Sequence, residues 1–293
     1  MKYLVLILLL SFLTSCSGTK KITKNTSKPK AVEETTTVKK VDTLVKKEPK
    51  TKEDSQNLEI TEEEVNKYFN QTLSKRFITT HQLWDELLVK HVSNNGVVNY
   101  KSFKTNRKKL LDYIHTLNLM FSNEAFQTLS KQDKLAFWIN AYNAMTVDLI
   151  LRHYPIKSIK EIDKPWDLRY WKLGNKWYNL NEIEHKILRK MNEPRIHFAI
   201  VCASVSCPKL LSEAFTASNL EEQLTKTTKD FLSDSTKNNI SKDNIKLSKI
   251  FQWFAKDFKQ DGSLIDFLNQ YSEIKISAKA KKNFKNYNWS LNE

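Results

Sequence analysis

Glycine is scarce in this chain, 4 residues of 293, and only three of them fall between Leu58 and Glu293. A Rossmann sheet and a phosphate loop both need clustered glycines where backbone closely approaches a phosphate, so nucleotide binding by those routes is not expected. Cysteine is scarcer still, with Cys16, Cys202 and Cys207 the only three. Aromatic residues are missing altogether from Ser17 to Asn57, where eleven Lys and six acids are mixed with Thr and Ser. Such a stretch cannot bury a core. The only long apolar run, Tyr3 to Leu13, falls well short of the ~20 residues that a membrane-spanning helix requires.

That short run reads instead as a secretory signal: Lys2 opens it, the apolar stretch follows, and small residues precede Cys16. The order Leu13-Thr14-Ser15-Cys16 resembles the lipobox of a bacterial lipoprotein signal. The resemblance implies cleavage before Cys16, acyl chains on that residue, and an exported protein held at the cell membrane or outer membrane. Residues 17–57 then form a Lys/Thr-rich tether reaching about 35 Å as a flexible coil. Its Lys excess suits anionic headgroups. The net charge of +15 raises nucleic acid as a partner, but an exported location argues against it. Every Trp, and all but one Phe and one Tyr, lie in residues 58–293. With no repeat and no second linker, this span reads as one domain.

Local signals predict an α+β fold, helix-rich around a small sheet with hairpins. Thr61 with Glu62, Glu63 and Glu64 opens a helix through Phe69. A second runs from about Thr80 to Val92, Asn94-Asn95-Gly96 turns the chain, and Val97 to Tyr100 is extended. A polar helix follows to about Leu119. Ser130 with Asp133 opens the most apolar helix, Lys131 to Arg152, which the approach to Pro155 ends. Gly174-Asn175 turns an aromatic hairpin between Trp166 and Leu180, and Asn181 with Glu184 caps a helix to Met191. The apolar run Ile196 to Ala203 reads as a central strand. A helix from Asn219 to Leu232, a hairpin over Ile240 to Leu247, and helices opening near Ser248 and Ser263 complete the chain.

Three places carry polar groups suited to chemistry. Asn140 and Asn143 share one face of an apolar helix, so buried amides there must find partners. They either orient a catalytic loop or a substrate carbonyl, or tie down buried backbone, the reading the composition favours. Glu184 fits a cap, whereas His185 shares its face with Leu188 and Arg189; a partly buried His beside a cation favours the neutral imidazole that acts as a base. A surface or core His is the competing reading. The third place is His197 to Pro208. In a regular strand His197 and Cys202 point to opposite faces, which makes His197 a poor partner for Cys202 and leaves Cys207 free to meet His185 or His197. A nearby His can supply the thiolate that a nucleophilic Cys needs. A Cys202–Cys207 disulfide, suited to an oxidising compartment, competes on equal terms, and a zinc site with His185 or His197 is a weaker alternative.

The chain also resembles the bacterial and plant family of domain of unknown function 547, over residues 80–293. The likeness rests on Ala-Phe-Trp-Ile-Asn-Ala-Tyr-Asn at 136–143, and on Leu-Asn-Glu-Ile-Glu-His at 180–185 with Leu188-Arg189. It also rests on Cys-Ala-Ser-Val-Ser-Cys-Pro-Lys-Leu at 202–210 and on Tyr287-Asn288-Trp289-Ser290-Leu291-Asn292. It implies no particular reaction or cofactor, but its motifs fall on the Asn, His and Cys positions above. A long helix followed by a His-bearing strand also resembles papain-like and transglutaminase-like enzymes. Their nucleophilic Cys opens the helix, however, and here Asn140 occupies its middle.

Two functions are compatible with these residues. One is a thiol hydrolase or acyl transferase of the envelope with Cys207, or else Cys202, as nucleophile, His185 as base, and Asn140 or Asn143 as orienting group. It requires a reduced, accessible thiol. The other is a non-catalytic module that binds glycan or peptide in an aromatic cleft, with the two Cys bridged or buried.

Overall fold

The computed structural model describes residues 81–293; the signal, the tether and the helix expected at Thr61 to Phe69 lie outside them. Within this range the fold is α+β, helical elements with one two-stranded and one three-stranded sheet. Helix α1 covers residues 81–91 and buries Trp84, Leu87 and Leu88. The turn after it needs glycine: Gly96 has φ +77°, and a Cβ there would meet the Lys209 Cβ at 2.6 Å. Beyond it only a single bridge, Val92 to Val98, is extended. Asn99 already caps the next helix by accepting from the Ser102 N–H at 2.9 Å. The single polar helix expected to Leu119 is two, α2 (Tyr100–Thr105) and α3 (Arg107–Ser122), divided at Asn106.

After the short α4 (Ala125–Thr128), helix α5 (Lys131–His153) runs through the centre, with every residue from Leu135 to Leu151 buried. Ser130 caps it as expected, accepting from the Asp133 N–H at 3.0 Å. Strands β1 (Trp171–Leu173) and β2 (Lys176–Tyr178) form the hairpin around Gly174-Asn175. Their Trp171, Leu173 and Tyr178 are buried against the α5 core, while Trp177 is exposed.

Two expectations need correction in the middle of the chain. Helix α6 (Leu180–Glu182) is capped by Asn179, which accepts from the Glu182 N–H at 2.8 Å, so Asn181 and Glu184 are not its cap. The helix widens into a π turn over Ile183–Ile187, then tightens to 3-10 geometry over Leu188–Met191. The helix starts two residues earlier than the Asn181 signal implies, which puts Glu182 rather than Glu184 at its third position. The run Ile196 to Ala203 is no strand. Pro194–Phe198 is 3-10 helix, with Pro194 in its first turn and Glu193 capping through the Arg195 N–H. A continuous apolar run marks burial, and burial alone does not separate a strand from a buried turn.

Helix α7 (Leu220–Ser233) is followed by β3 (Asn239–Ile240) and β4 (Asn244–Leu247), paired antiparallel as expected. Strand β5 (Lys281–Phe284) joins β4 in parallel and had no signal in the sequence. Between them lie α8 (Ile250–Trp253) and α9 (Leu264–Tyr271), the latter opened by a capping box of Ser263 and Asp266. These elements close over a second apolar cluster of Phe198, Phe231, Phe251, Phe258 and Phe267. The first cluster surrounds α5.

Candidate active or binding cleft

The two asparagines of α5 act in the same way. Asn140 donates to the Phe215 carbonyl at 2.8 Å and accepts from the Phe215 N–H at 3.0 Å. Asn143 donates to the Ala199 carbonyl at 2.9 Å and accepts from the Val201 N–H at 3.0 Å. Each side-chain amide thus pairs with buried backbone at both ends, as a sheet neighbour would. Neither lines the cleft described next, so neither is placed to orient an imidazole or a bound carbonyl. Asn143 instead fixes the segment that leads into Cys202.

That segment borders a cleft of about 370 Å³, lined by Tyr142, Glu184, His185, His197, Cys202 and Tyr287 with a wall of Trp166, Trp253 and Trp289. The ring centroids of Trp253 and Trp289 are 5.8 Å apart, those of Trp166 and Trp289 also 5.8 Å, and Trp253 remains 47% exposed. Glu184 comes to the floor from the π turn. Among the described residues its one side-chain partner is the Tyr142 hydroxyl, which donates to Oε2 at 3.1 Å. Burial pushes the Glu184 carboxyl up to about 7, against smaller opposing effects of the Tyr142 hydrogen bond and the Arg189 charge.

His185 and His197 meet the same cation and anion. Arg189 forks onto Asp257, with Nε 2.6 Å from Oδ2 and Nη2 2.8 Å from Oδ1, and its Nη1 donates to His185 Nδ1 at 3.0 Å. His197 Nε2 is 2.8 Å from Asp257 Oδ2, and its ring stacks on Phe254 with centroids 4.0 Å apart. Burial and then Arg189 lower the His185 pKa; burial also lowers that of His197, outweighing the Asp257 hydrogen bond. Burial alone would raise Asp257, but the Arg189 and His197 contacts outweigh it and hold the carboxyl well below the usual carboxylate range. Both imidazoles are therefore neutral at pH 7, and His185 accepts at Nδ1, so its proton sits on Nε2. His185 and Arg189, expected on one face, are in contact here.

Cys202 and Cys207 are joined as a disulfide, with Cα atoms 6.2 Å apart. Cys207 is buried and Cys202 is partly exposed. Around the two sulfurs stand the Cys202 N–H, 2.9 Å from Cys207 Sγ, the Tyr287 hydroxyl, 3.2 and 3.3 Å from the two sulfurs, and the Ser204 hydroxyl, 3.2 and 3.4 Å away. Burial pushes the Tyr287 phenol up to about 12, so it remains a donor.

This arrangement differs from the expected Cys207–His185 pair. Cys207 is buried and bonded, and His185 Nδ1 is engaged by Arg189. Among the described residues neither imidazole is hydrogen-bonded to a sulfur. His197 and Cys202, expected on opposite faces of a strand, line one cleft because there is no strand. The likeness to papain-like order loses its His-bearing strand for the same reason. Also among the described residues, no group of three or more His, Cys, Asp or Glu is arranged to hold a metal ion, and no helix is long and apolar enough to cross a membrane.

Sequence reasoning missed Tyr142 and Tyr287, which line the cleft, and Asp257, which holds His197 and Arg189. Tyr142 and Tyr287 lie within the quoted motifs at 136–143 and 287–292, and that is the signal that could have found them. Asp257 stands in Lys256-Asp257-Phe258-Lys259, a stretch indistinguishable from solvated surface.

Comparison with the curated proteins and with the solved structures finds no match. Residues 126–232 match the family model described as "Protein of unknown function, DUF547". The matched segment holds Asn140, Asn143, Glu184, His185, His197, Cys202 and Cys207, while Asp257 and Tyr287 lie beyond it, so most of the polar groups weighed above fall in the part of the chain that is similar to that family.

Proposed function

We propose that this is an envelope protein, anchored by lipid on Cys16 and extended from the membrane by residues 17–57, whose aromatic cleft binds a glycan or peptide ligand. The observation that carries the reading is the cleft itself: a mostly apolar concavity with a Trp wall and a few convergent polar groups at its floor. Recognition sites have this composition, since aromatic faces supply contact area while Glu184, His185 and the Tyr287 hydroxyl set orientation. The disulfide agrees with this reading, which needs no free thiol.

Tryptophan fluorescence of the full chain, titrated with soluble cell-wall glycan fragments and with short apolar peptides, tests it. One of the two is expected to give a saturable change that Trp253→Ala removes. No saturable change with either would overturn the binding reading. For the anchor, Cys16→Ser is expected to move the protein from the membrane fraction to the soluble fraction.

A second reading, thiol-dependent hydrolysis or acyl transfer, is favoured by one observation: partly exposed Cys202 and Glu184 border the same space. Once the disulfide is reduced, Cys202 would be the nucleophile and Glu184 or His185 the base. Reduced protein would then release a burst of product from an activated thioester, and Cys202→Ser would abolish it.

A further inference from the structure

We infer that Cys202 and Cys207 form a thiol–disulfide exchange centre, in which an incoming thiolate attacks the Cys202 sulfur and Cys207 departs as a thiolate held by the Cys202 N–H and the Ser204 and Tyr287 hydroxyls. The inference rests on the asymmetry of the pair. Both cysteines border the cleft, but Cys202 is the partly exposed member, whereas Cys207 is 3% exposed. Attack is therefore directed to one sulfur. The Cys202 N–H is aimed at the other sulfur alone, at 2.9 Å, while the Ser204 and Tyr287 hydroxyls stand near both sulfurs, 3.4 and 3.3 Å from Cys207 and 3.2 Å each from Cys202. Hydrogen bonds to a thiolate lower its pKa, and a lower leaving-group pKa speeds exchange. A staple that only closes a loop has no need of donors converging on its buried sulfur.

The surroundings supply what the step requires. Asn143 pins the Ala199 carbonyl and the Val201 N–H, so the Cys202 N–H keeps its aim as the sulfur–sulfur bond breaks. Ala203 sits at φ 57°, turning the chain so that Ser204 faces both sulfurs. Glu184 lines the same cleft as Cys202 and Tyr287, and burial pushes its carboxyl up to about 7.

The reacting partner is a dithiol segment of an exported polypeptide. Its first thiolate bonds to Cys202 Sγ, the Cys202–Cys207 bond breaks, and the electron pair goes to Cys207 Sγ. Its second thiolate then attacks the peptide sulfur of the mixed disulfide, closing a peptide disulfide and releasing Cys202 as a thiolate. Two peptide thiols are oxidised by two electrons, the protein disulfide is reduced by two, and both protons end on the protein dithiol. A small-molecule disulfide, running the same exchange in reverse, restores the Cys202–Cys207 bond. The choice of a peptide rests on the binding reading above, whereas the exchange itself does not.

The test uses the full chain and glutathione, which needs no aromatic wall. With oxidised glutathione at pH 7, Cys207→Ser is expected to accumulate a mixed disulfide at Cys202. In Cys202→Ser the buried Cys207 thiol is expected to react at least about tenfold more slowly. Reduction of the wild-type disulfide by dithiothreitol is expected to slow about fivefold in Tyr287→Phe, the worth of one net hydrogen bond. Ser204→Ala is expected to show the same direction if Tyr287→Phe fails to fold. Faster reaction at Cys207 than at Cys202 would overturn the inference. So would a disulfide that dithiothreitol reduces only after denaturation, or one reduced at the same rate in the wild type and both hydroxyl variants. Fluorescence titration of the same variants keeps loss of ligand binding distinct from loss of exchange.

Discussion

Two buried carboxylates near α5 are treated in opposite ways. Asp148, fully buried, accepts from Arg107 at 2.8 Å, from Arg152 at 2.7 Å and from the Trp171 indole N–H at 2.9 Å. Glu184, at the cleft floor, has only the Tyr142 hydroxyl as a side-chain hydrogen-bond partner among the described residues, and its pKa is pushed up to about 7. The first site neutralises its charge by pairing and the second by keeping the proton. A fold that compensates one acid so fully and leaves another titrating near neutrality separates structure from reactivity. Perturbed groups in a cleft with few compensating partners are where function concentrates.

The largest effect that sharpens this contrast is expected at the paired site. Asp148→Ala strands two arginines and a buried indole N–H, and should cost about 4 kcal/mol, as broken buried ion networks do. Denaturant unfolding at pH 7 measures it; a cost under about 1 kcal/mol would mean the network is ornamental.

Glu184→Gln should act in the opposite direction and only with pH. A carboxyl whose folded pKa lies above its unfolded value of 4.5 favours the folded state when protonated. That contribution is full below 4.5 and is lost as pH rises towards about 7. At pH 8 the wild type has therefore lost on the order of 3 kcal/mol that the uncharged amide of the Glu184→Gln variant retains. Unfolding curves of the two proteins should converge below pH 4.5. Parallel curves from about pH 4 to 8 would show that Glu184 is not titrating as described.

Asn143→Ala leaves the Ala199 carbonyl and the Val201 N–H buried without partners. A cost of about 2 kcal/mol is expected, with slower reduction of the disulfide by dithiothreitol because the Cys202 N–H loses its aim at the Cys207 sulfur. Trp253→Ala should be the smallest structural change, within about 0.5 kcal/mol at a half-exposed position, yet it should remove the ligand response. A stability loss above about 2 kcal/mol would make Trp253 part of the core rather than the wall.

What was legible in the sequence was local. The Ser130 cap with the apolar run behind it defined α5, Gly174-Asn175 located the hairpin, and Ser263 marked the opening of α9, because each signal lies within a few residues. Two amides in an apolar helix announced buried partners, and Asn140 and Asn143 have them. The cleft was legible only in pieces. Ile196 to Ala203 misleads because an apolar run buried by tertiary packing has the composition of a strand. Spacing assigns Glu184 to a cap because Asn181 with Glu184 repeats the cap-to-acid interval of Asn179 with Glu182, and Asn179 is the residue that caps. Asp257 reaches His197 across 60 positions of sequence, and no periodicity encodes such a pairing. The cysteine spacing is equally compatible with a reactive thiol and with a bridge until the burial of Cys207 distinguishes the two sulfurs.

The most direct measurement is the ionisation of Glu184 in the folded full chain, followed by carboxyl carbon NMR of glutamate-labelled protein from about pH 4 to 9, with Glu184→Gln to assign the signal. The account predicts one glutamate titrating near pH 7 that disappears in the variant. A Glu184 signal titrating near its ordinary 4.5 would contradict it, and the contrast with Asp148 would then carry no functional meaning.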